Sequence, residues 1–230
     1  MHILILGATG RNGALVLAEA LERGHTVTAL VRDPAGSALT PHANLTLAKG
    51  SPLSLPDLRA AIRTPPGGAD AVVVALNARR ASDSPFAALD PDTPAALVPD
   101  SVRNVLEVMR DASPRTRKLV VNSMQGAGAS SASLSFPVRA LFNHSNMKHT
   151  LDGHNAVDAL VRGHRGTGVD WVLVRPPMLT EGESLPVKVH GDDGSGVGWM
   201  PKITRRSVAG FMVDAVEKEK WNFKSPVTTN

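Results

Sequence analysis

Residues 3 to 13 read Ile-Leu-Ile-Leu-Gly-Ala-Thr-Gly-Arg-Asn-Gly, an apolar run that enters a glycine-rich turn. The apolar run is typical of a buried β-strand, and residues 12–23 have the pattern of an amphipathic helix. Strand, glycine-rich turn and helix in this order form the dinucleotide-binding arrangement. Gly7 allows a sharp turn, Gly10 lets a pyrophosphate approach the backbone, and Gly13 lets the helix lie close to the sheet. The phosphates would then meet free N–H groups and the positive end of the helix dipole.

The end of the next apolar run, residues 29–33, reads Ala-Leu-Val-Arg-Asp. Units that prefer NAD place an acidic residue here to hold the ribose 2′-hydroxyl, whereas an arginine such as Arg32 suits the 2′-phosphate of NADP. We therefore expect NADP(H) as the cofactor, with Arg11 adding a second positive charge nearby. The alternative is that Arg32 is a solvated residue at a strand end. Asp33 lies one position further and is expected to cap the turn with Pro34.

Composition narrows the class of protein. The chain has 230 residues, of which 42% are hydrophobic, and this suits one α/β domain with an ample core. It has no cysteine, which excludes a disulfide framework, a thiolate nucleophile and a cysteine-based zinc site. The first predicted strand starts almost at Met1, and no apolar run approaches the ~20 residues of a membrane span. We therefore expect a cytoplasmic protein with no membrane partner.

The charge pattern does not favour nucleic acid as a partner. The net charge is +4, but the basic residues come in short pairs such as Arg79-Arg80 and Arg205-Arg206. Aromatic residues, which would stack on bases, make up only 3% of the chain. We expect a small-molecule substrate.

Strand-like and helix-like segments alternate along the chain, which predicts a single domain over residues 1–230 with a Rossmann-type, doubly wound parallel sheet. Ligands of such sheets bind beyond the carboxyl ends of the strands. The predicted substrate-side loops are residues 80–95, 125–145 and 178–200, and the excursion over 180–200 is expected to be flexible. Predicted strands span 2–6, 26–31, 44–47, 71–76, 118–122 and 169–174, and predicted helices span 12–23, 56–63, 100–111, 144–162 and 204–218.

Two further motifs follow the first two, Val-Asn-Ser at 121–123 and Trp-Val-Leu-Val-Arg-Pro-Pro at 171–177. With these four motifs the chain resembles the atypical short-chain dehydrogenase/reductase superfamily. Within it, the chain is similar to the NmrA-like and biliverdin reductase B/flavin reductase group over nearly its whole length. The resemblance implies an NADP-binding Rossmann fold and a monomer or weak homodimer.

The resemblance also implies a set of cofactor-binding residues. Arg32 matches the 2′-phosphate ligand, and Ser51 replaces an aspartate that usually contacts the adenine side. Residues that match the phosphate loop are Gly7, Thr9, Gly10, Arg11, Asn12 and Gly13.

On the nicotinamide side, the resemblance implies five further positions. Arg79 matches an arginine after the fourth strand, where Asn77 takes the place of a glycine. Ser123 matches a serine beside the nicotinamide at the end of the fifth strand. Pro176 and Pro177 match the segment that covers the nicotinamide carboxamide.

The catalytic acid must differ from that of many short-chain reductases. These use a Tyr-x-x-x-Lys pair, and this chain has no tyrosine. His144 and Lys148 have the same spacing and would share a helix face, but Asp152-Gly-His154-Asn155 is the better match to the family pattern. A histidine with an ordinary pKa near 6.5 could donate a proton near neutrality, so His154 is the candidate acid. The alternative is that these histidines lie on a helix surface or cap it. Their spacing does not predict a metal site.

Ser123 is the second candidate for catalysis. We expect it to hydrogen-bond the carboxamide or the substrate carbonyl, although a serine at a strand end often satisfies backbone groups instead. It is not a hydrolase nucleophile, because Asn-Ser-Met-Gln-Gly lacks the Gly-x-Ser-x-Gly elbow.

Three functions remain open from the sequence. The first is an NADPH-dependent reductase for a planar conjugated or aromatic acceptor, such as a flavin, tetrapyrrole, quinone or polyketide-like enone. In that scheme the protein positions the two rings and solvent can supply the proton. The second is an NADP-sensing NmrA-like regulatory protein, and the third is a redox-neutral isomerase, epimerase or cyclase. Ser123 and Arg79 favour the first.

Overall fold

A computed structural model describes residues 1–64, 66–82, 84–112 and 115–230. Its centre is a six-stranded parallel sheet in the order β3-β2-β1-β4-β5-β6. These strands are β1 (His2–Leu6), β2 (Thr26–Val31), β3 (Leu45–Lys49), β4 (Ala71–Val74), β5 (Lys118–Asn122) and β6 (Asp170–Val174). Because the strand order reverses between β1 and β4, a crevice opens at the carboxyl ends of these two strands. The predicted fold class is confirmed.

Helices cover both faces of the sheet. They are α1 (Arg11–Glu22), α2 (Leu55–Arg63), α3 (Leu97–Ala112), α4 (Phe136–Asn143), α5 (Met147–Gly163) and α6 (Arg205–Glu217). Ile3 and Ile5 of β1 share a buried cluster with residues of α1 and α6, whereas Leu4 and Leu6 share one with residues of α2, α3 and α5. Alternate residues of β1 thus enter opposite cores, which is why the central strands are mostly apolar.

Three helices differ from the sequence prediction. Helix α4 lies in the 125–145 segment, which was predicted to be a loop, and the helix expected over 144–162 is α5, which begins at Met147. The Ser145 hydroxyl between the two helices accepts a hydrogen bond from the Met147 N–H. Polar residues at 143–146 favour such local bonds over a continuous helix. Helix α3 begins at Leu97, earlier than predicted, because Pro99 lies in its first turn, where no intrahelical N–H donor is needed.

The excursion over residues 180–200 was expected to be flexible, but short strands hold it at both ends. Strands β7 (Met178–Thr180) and β9 (Lys202–Thr204) pair with each other, and β8 (Lys188–Val189) pairs with β10 (Thr228–Thr229). The C-terminal segment is therefore attached to this excursion. Among the helices of the described residues, none combines the length and the apolar character that crossing a bilayer requires.

Candidate cofactor site and active site

The glycines after β1 form a tight cradle. Gly7 has a φ of +87°, and a Cβ there would lie 2.7 Å from the carbonyl oxygen of Ala75. A Cβ on Gly13 would lie 2.0 Å from the Gly7 carbonyl oxygen. The Gly10 N–H donates to the same Gly7 oxygen at 3.0 Å, which closes the turn. These contacts leave no room for side chains at Gly7 or Gly13, as the sequence predicted for a close helix–strand junction.

The first turn of α1 is suited to an anion. Its N-cap, Gly10, makes no side-chain capping bond, and the first turn contains no acidic residue. Thr9 and Arg11 are exposed beside it. The Asn12 Oδ1 atom accepts a hydrogen bond of 2.6 Å from the Nη1 atom of Arg205. Helix-end N–H groups and nearby cations are the chemistry that holds a phosphate.

The predicted adenosine side lies at the ends of β2 and β3. Arg32 is exposed directly after β2, and the Gly50 N–H donates to the Val31 carbonyl at 2.9 Å, which keeps the two strand ends together. Ser51 is used locally, since its hydroxyl accepts from the Leu53 N–H at 3.2 Å. The Asp33 carboxylate accepts from the Ala35 N–H at 3.2 Å, in line with the predicted cap.

Asn77 and Arg79 are exposed in the segment that follows β4. This segment turns back on itself, because the Asp90 N–H donates to the Arg79 carbonyl at 3.0 Å. The Nδ2 atom of Asn146 donates to the Phe86 and Ala87 carbonyls at 3.0 and 3.1 Å, which ties the loop to the start of α5. The predicted 80–95 wall is therefore attached to the helix that carries His154.

Ser123 lies where β5 ends. Its side chain is buried, with 4% of the residue exposed, and its hydroxyl forms no hydrogen bond with any described residue. Its N–H donates to the Val174 carbonyl at 2.7 Å, and the Gln125 N–H donates to the Pro176 carbonyl at 2.9 Å. The loops after β5 and β6 thus run side by side, and they bring Ser123 close to the segment of Pro176 and Pro177. A buried hydroxyl without a partner is costly unless something else bonds it.

His154 does not fit the predicted role of proton donor. It is buried in α5, and its Nδ1 atom has no hydrogen-bond partner in the described part of the chain. Burial, and then the positive charge of Arg175, lower the pKa of His154 to about 4. The imidazole is therefore neutral near pH 7, whereas the sequence-based expectation assumed an ordinary pKa.

The sequence did not predict the buried ionic network that surrounds His154. Arg175, whose side chain is fully buried, forms an ion pair with Asp158 and donates to the Asp192 carbonyl at 2.9 Å. Asp158 also accepts from Arg162 at 2.9 Å. The Arg-Pro-Pro motif at 175–177 draws attention to Arg175. Its partner Asp158 lies on α5, and no spacing in the sequence indicates that the two are in contact.

Arg205, at the first position of α6, is another residue that the sequence analysis missed. Besides its bond to Asn12, its Nε atom lies 2.8 Å from the carboxylate of Glu181, next to β7. Its side chain is only 13% exposed. Arg205 thus joins the phosphate loop to the substrate-side excursion, through contacts between residues that are far apart in the sequence.

A pocket of about 560 Å³ lies beyond β5, within the predicted 125–145 segment. Gly126 and Gly128 form part of its lining, and Leu134, Phe142 and Leu151 provide apolar side chains. Its volume is in the range of small-molecule sites. Among the described residues, no group of three or more histidines and carboxylates is placed to hold a metal ion.

Several solved structures share this fold. A protein from Lactobacillus casei is 23% identical, covers 100% of this chain and 99% of its own, and has a TM-score of 0.74. ChuY, an anaerobillin reductase from Escherichia coli O157:H7, is 16% identical, with coverage of 100% and 97% and a TM-score of 0.73. A candidate NADH-flavin reductase from Streptococcus pneumoniae TIGR4 is 19% identical, with coverage of 100% and 99% and a TM-score of 0.70.

The sequence itself decides the family. No curated protein matches the chain at a significant level. A family model described as NAD(P)H-binding matches residues 7–219. This range begins directly after β1 and includes the glycine-rich loop and strands β2 to β6. The chain therefore belongs to this NAD(P)H-binding family, as its motifs predicted.

Proposed function

We propose that the protein is an NADPH-dependent oxidoreductase that transfers hydride to a planar conjugated or aromatic acceptor, such as a flavin, tetrapyrrole, quinone or polyketide-like enone. The observation that carries this proposal is the buried Ser123 hydroxyl, which has no hydrogen-bond partner among the described residues. It lies at the end of β5, on the same edge of the sheet as the phosphate loop. A hydrogen-bond donor in that position suits the carboxamide of a nicotinamide or the carbonyl of an acceptor.

The residues present fit a dinucleotide. The cradle at Gly7 and Gly13 has no room for a Cβ, and the first turn of α1 has no acidic residue that would repel a pyrophosphate. Arg32 supports NADP over NAD, because an exposed guanidinium at the end of β2 can form paired hydrogen bonds with a 2′-phosphate. An aspartate or glutamate at this position would repel that phosphate.

In this proposal each residue has a limited task. The reduced cofactor, when bound, supplies the hydride. The N–H groups of the phosphate loop and Arg32 hold its phosphates, and Ser123 donates a hydrogen bond to the carboxamide or to the acceptor. Since His154 is buried and neutral, the proton comes from solvent. Catalysis then rests mainly on holding two flat rings together, and it needs no tyrosine.

The names of two fold neighbours support a reductase. One is an anaerobillin reductase and the other a candidate NADH-flavin reductase. An NADP-sensing protein remains the second candidate, because a neutral, buried His154 leaves the site without a titrating acid near pH 7.

The test is oxidation of NADPH with FMN, riboflavin, biliverdin and simple quinones as acceptors, beside a titration of cofactor binding. Ser123→Ala should lower kcat by about 100- to 1,000-fold, as loss of one positioned donor does, and should change cofactor affinity little. Ser101→Ala is the matched control, because that buried hydroxyl already donates to the Leu97 carbonyl within α3. Tight NADP binding without turnover of any acceptor would favour the sensor, and no binding of NADP or NAD would overturn both.

A further inference from the structure

The pocket beyond β5 has an unusual charge pattern. Its walls are apolar at Leu134, Phe142 and Leu151, and Asn143 and Asn155 add amide groups. Of the described residues that line it, Arg139 alone carries a charge. The pocket therefore combines apolar and uncharged polar walls with one positive charge.

The positive charge of Arg139 is not neutralised by a neighbour. Its Nη2 atom donates to the Ser131 carbonyl at 3.0 Å, and none of the ion pairs found in the described ranges includes it. By contrast, Arg162 and Arg205, which also lie near the site, each face a carboxylate. A guanidinium has five N–H donors, so one carbonyl contact leaves most of its hydrogen-bonding capacity for a ligand.

The pocket is close to the proposed reaction centre. Gly126, in its lining, is three residues after Ser123, so their Cα atoms are separated by at most about 11 Å. The residue that would hold the ring and a residue that lines the pocket therefore belong to the same short segment after β5.

We propose that this pocket binds an anionic substituent of the acceptor, a phosphate or a carboxylate, and that Arg139 pairs with it. The inference rests on the proposed function, because it assigns the substrate class of that same site. The pocket would bind an acidic planar acceptor more tightly than a neutral acceptor with the same ring system. Arg139 is then a specificity-determining residue and takes no part in hydride transfer.

Two pairs of flavins test this proposal by binding alone. FMN and riboflavin differ by a phosphate, and carboxymethylflavin and lumiflavin differ by a carboxylate. Binding is followed by flavin fluorescence with saturating NADP⁺ present, so that the phosphate loop is occupied. The wild-type protein should prefer the anionic member of at least one pair by roughly tenfold or more at low salt, the size expected of one charged hydrogen bond. The preference should shrink as salt is added. Which pair responds distinguishes phosphate from carboxylate.

Arg139→Gln should abolish the preference, and Arg139→Lys should keep part of it. Arg117→Gln removes an exposed arginine immediately before β5, at the opposite edge of the sheet, and should leave the preference intact. Equal affinity within both pairs in the wild type, or a preference that survives Arg139→Gln, would overturn the inference. Since no turnover is needed, a protein that oxidises NADPH without any anion preference would keep the proposed function and lose only this assignment.

Discussion

At the end of β2, the side chain of Arg32 is expected to decide whether the protein prefers NADP or NAD. Arg32 is exposed there, and Asp33 next to it is engaged with the Ala35 N–H. If Arg32 binds the 2′-phosphate, Arg32→Glu should weaken NADP⁺ binding by about 10- to 100-fold, the range for a lost charged hydrogen bond. Binding of NAD⁺, which lacks that phosphate, should stay the same or improve. Calorimetric titration of both cofactors measures this, and an equal loss for both would contradict the assignment.

His154 gives the protein a pH dependence of known sign. Its pKa is about 4 in the folded state and near the ordinary 6.5 in the unfolded chain, so the unfolded state binds the extra proton first. This contribution to stability is complete above about pH 6.5 and is lost as the pH falls towards 4. Between pH 7 and about 4.5 the loss should be about 2–3 kcal/mol in the free energy of unfolding.

Urea unfolding of the wild type and of His154→Gln at the two pH values isolates that contribution. Other groups, among them His2 and Asp70, also have lowered pKa values, but they are common to both proteins and cancel in the difference. The glutamine variant should lose less stability on acidification than the wild type. Identical slopes would mean that His154 is not desolvated as the structure places it.

At the scale of elements, the close packing of α1 against the turn after β1 requires a residue without a side chain at position 13. A Cβ at residue 13 would lie 2.0 Å from the Gly7 carbonyl oxygen, so Gly13→Ala must push α1 away from the turn. We expect a loss of about 1–3 kcal/mol in stability, as for other overpacked sites, and weaker cofactor binding. Gly163→Ala is the control, because no atom lies within 4 Å of the added Cβ, and thermal unfolding with cofactor titration compares the two.

The sequence predicted the elements of the sheet well, for a physical reason. Strands of a parallel sheet are buried on both faces, so each reads as an apolar run, and the residue after each run must lie at the same edge. Arg32, Ser51 and Ser123 could be placed at the same edge of the sheet on this basis alone. Helix α4 was missed, because it is only 8 residues long and its first turn contains Pro137, a residue that also marks loops.

Contacts between distant elements were beyond the sequence. The bond from Arg205 to Asn12 joins the starts of two helices that pack on the same face of the sheet, and their adjacency follows only from the folded chain. The position of His154 was predicted from the sequence, but burial and Arg175 determine its protonation. Residue type could suggest a proton donor, whereas the surroundings of the side chain decide whether it can be one.

At the scale of the whole molecule, Asp158 connects the active-site edge to the C-terminal segment. It binds Arg175 after β6 and Arg162 on its own helix, and Arg162 donates to the Ser225 hydroxyl at 2.9 Å. Arg175 in turn donates to the carbonyl of Asp192, whose carboxylate accepts from the Ser225 N–H. The network thus holds α5, β6, the substrate-side excursion and the chain end in one arrangement.

Asp158→Asn should therefore destabilise the protein by about 3–5 kcal/mol, because it leaves the fully buried guanidinium of Arg175 without its carboxylate. Asp152→Asn on the same helix removes an exposed ion pair with Lys148 and should cost no more than about 0.5 kcal/mol. Chemical denaturation gives both values. Proteolysis within residues 180–200 should be faster in Asp158→Asn than in the wild type or in Asp152→Asn, since only Asp158→Asn loosens the residues that anchor this excursion. Equal stability of the two variants, with no faster cleavage of Asp158→Asn, would mean that the buried pair does not hold these segments together.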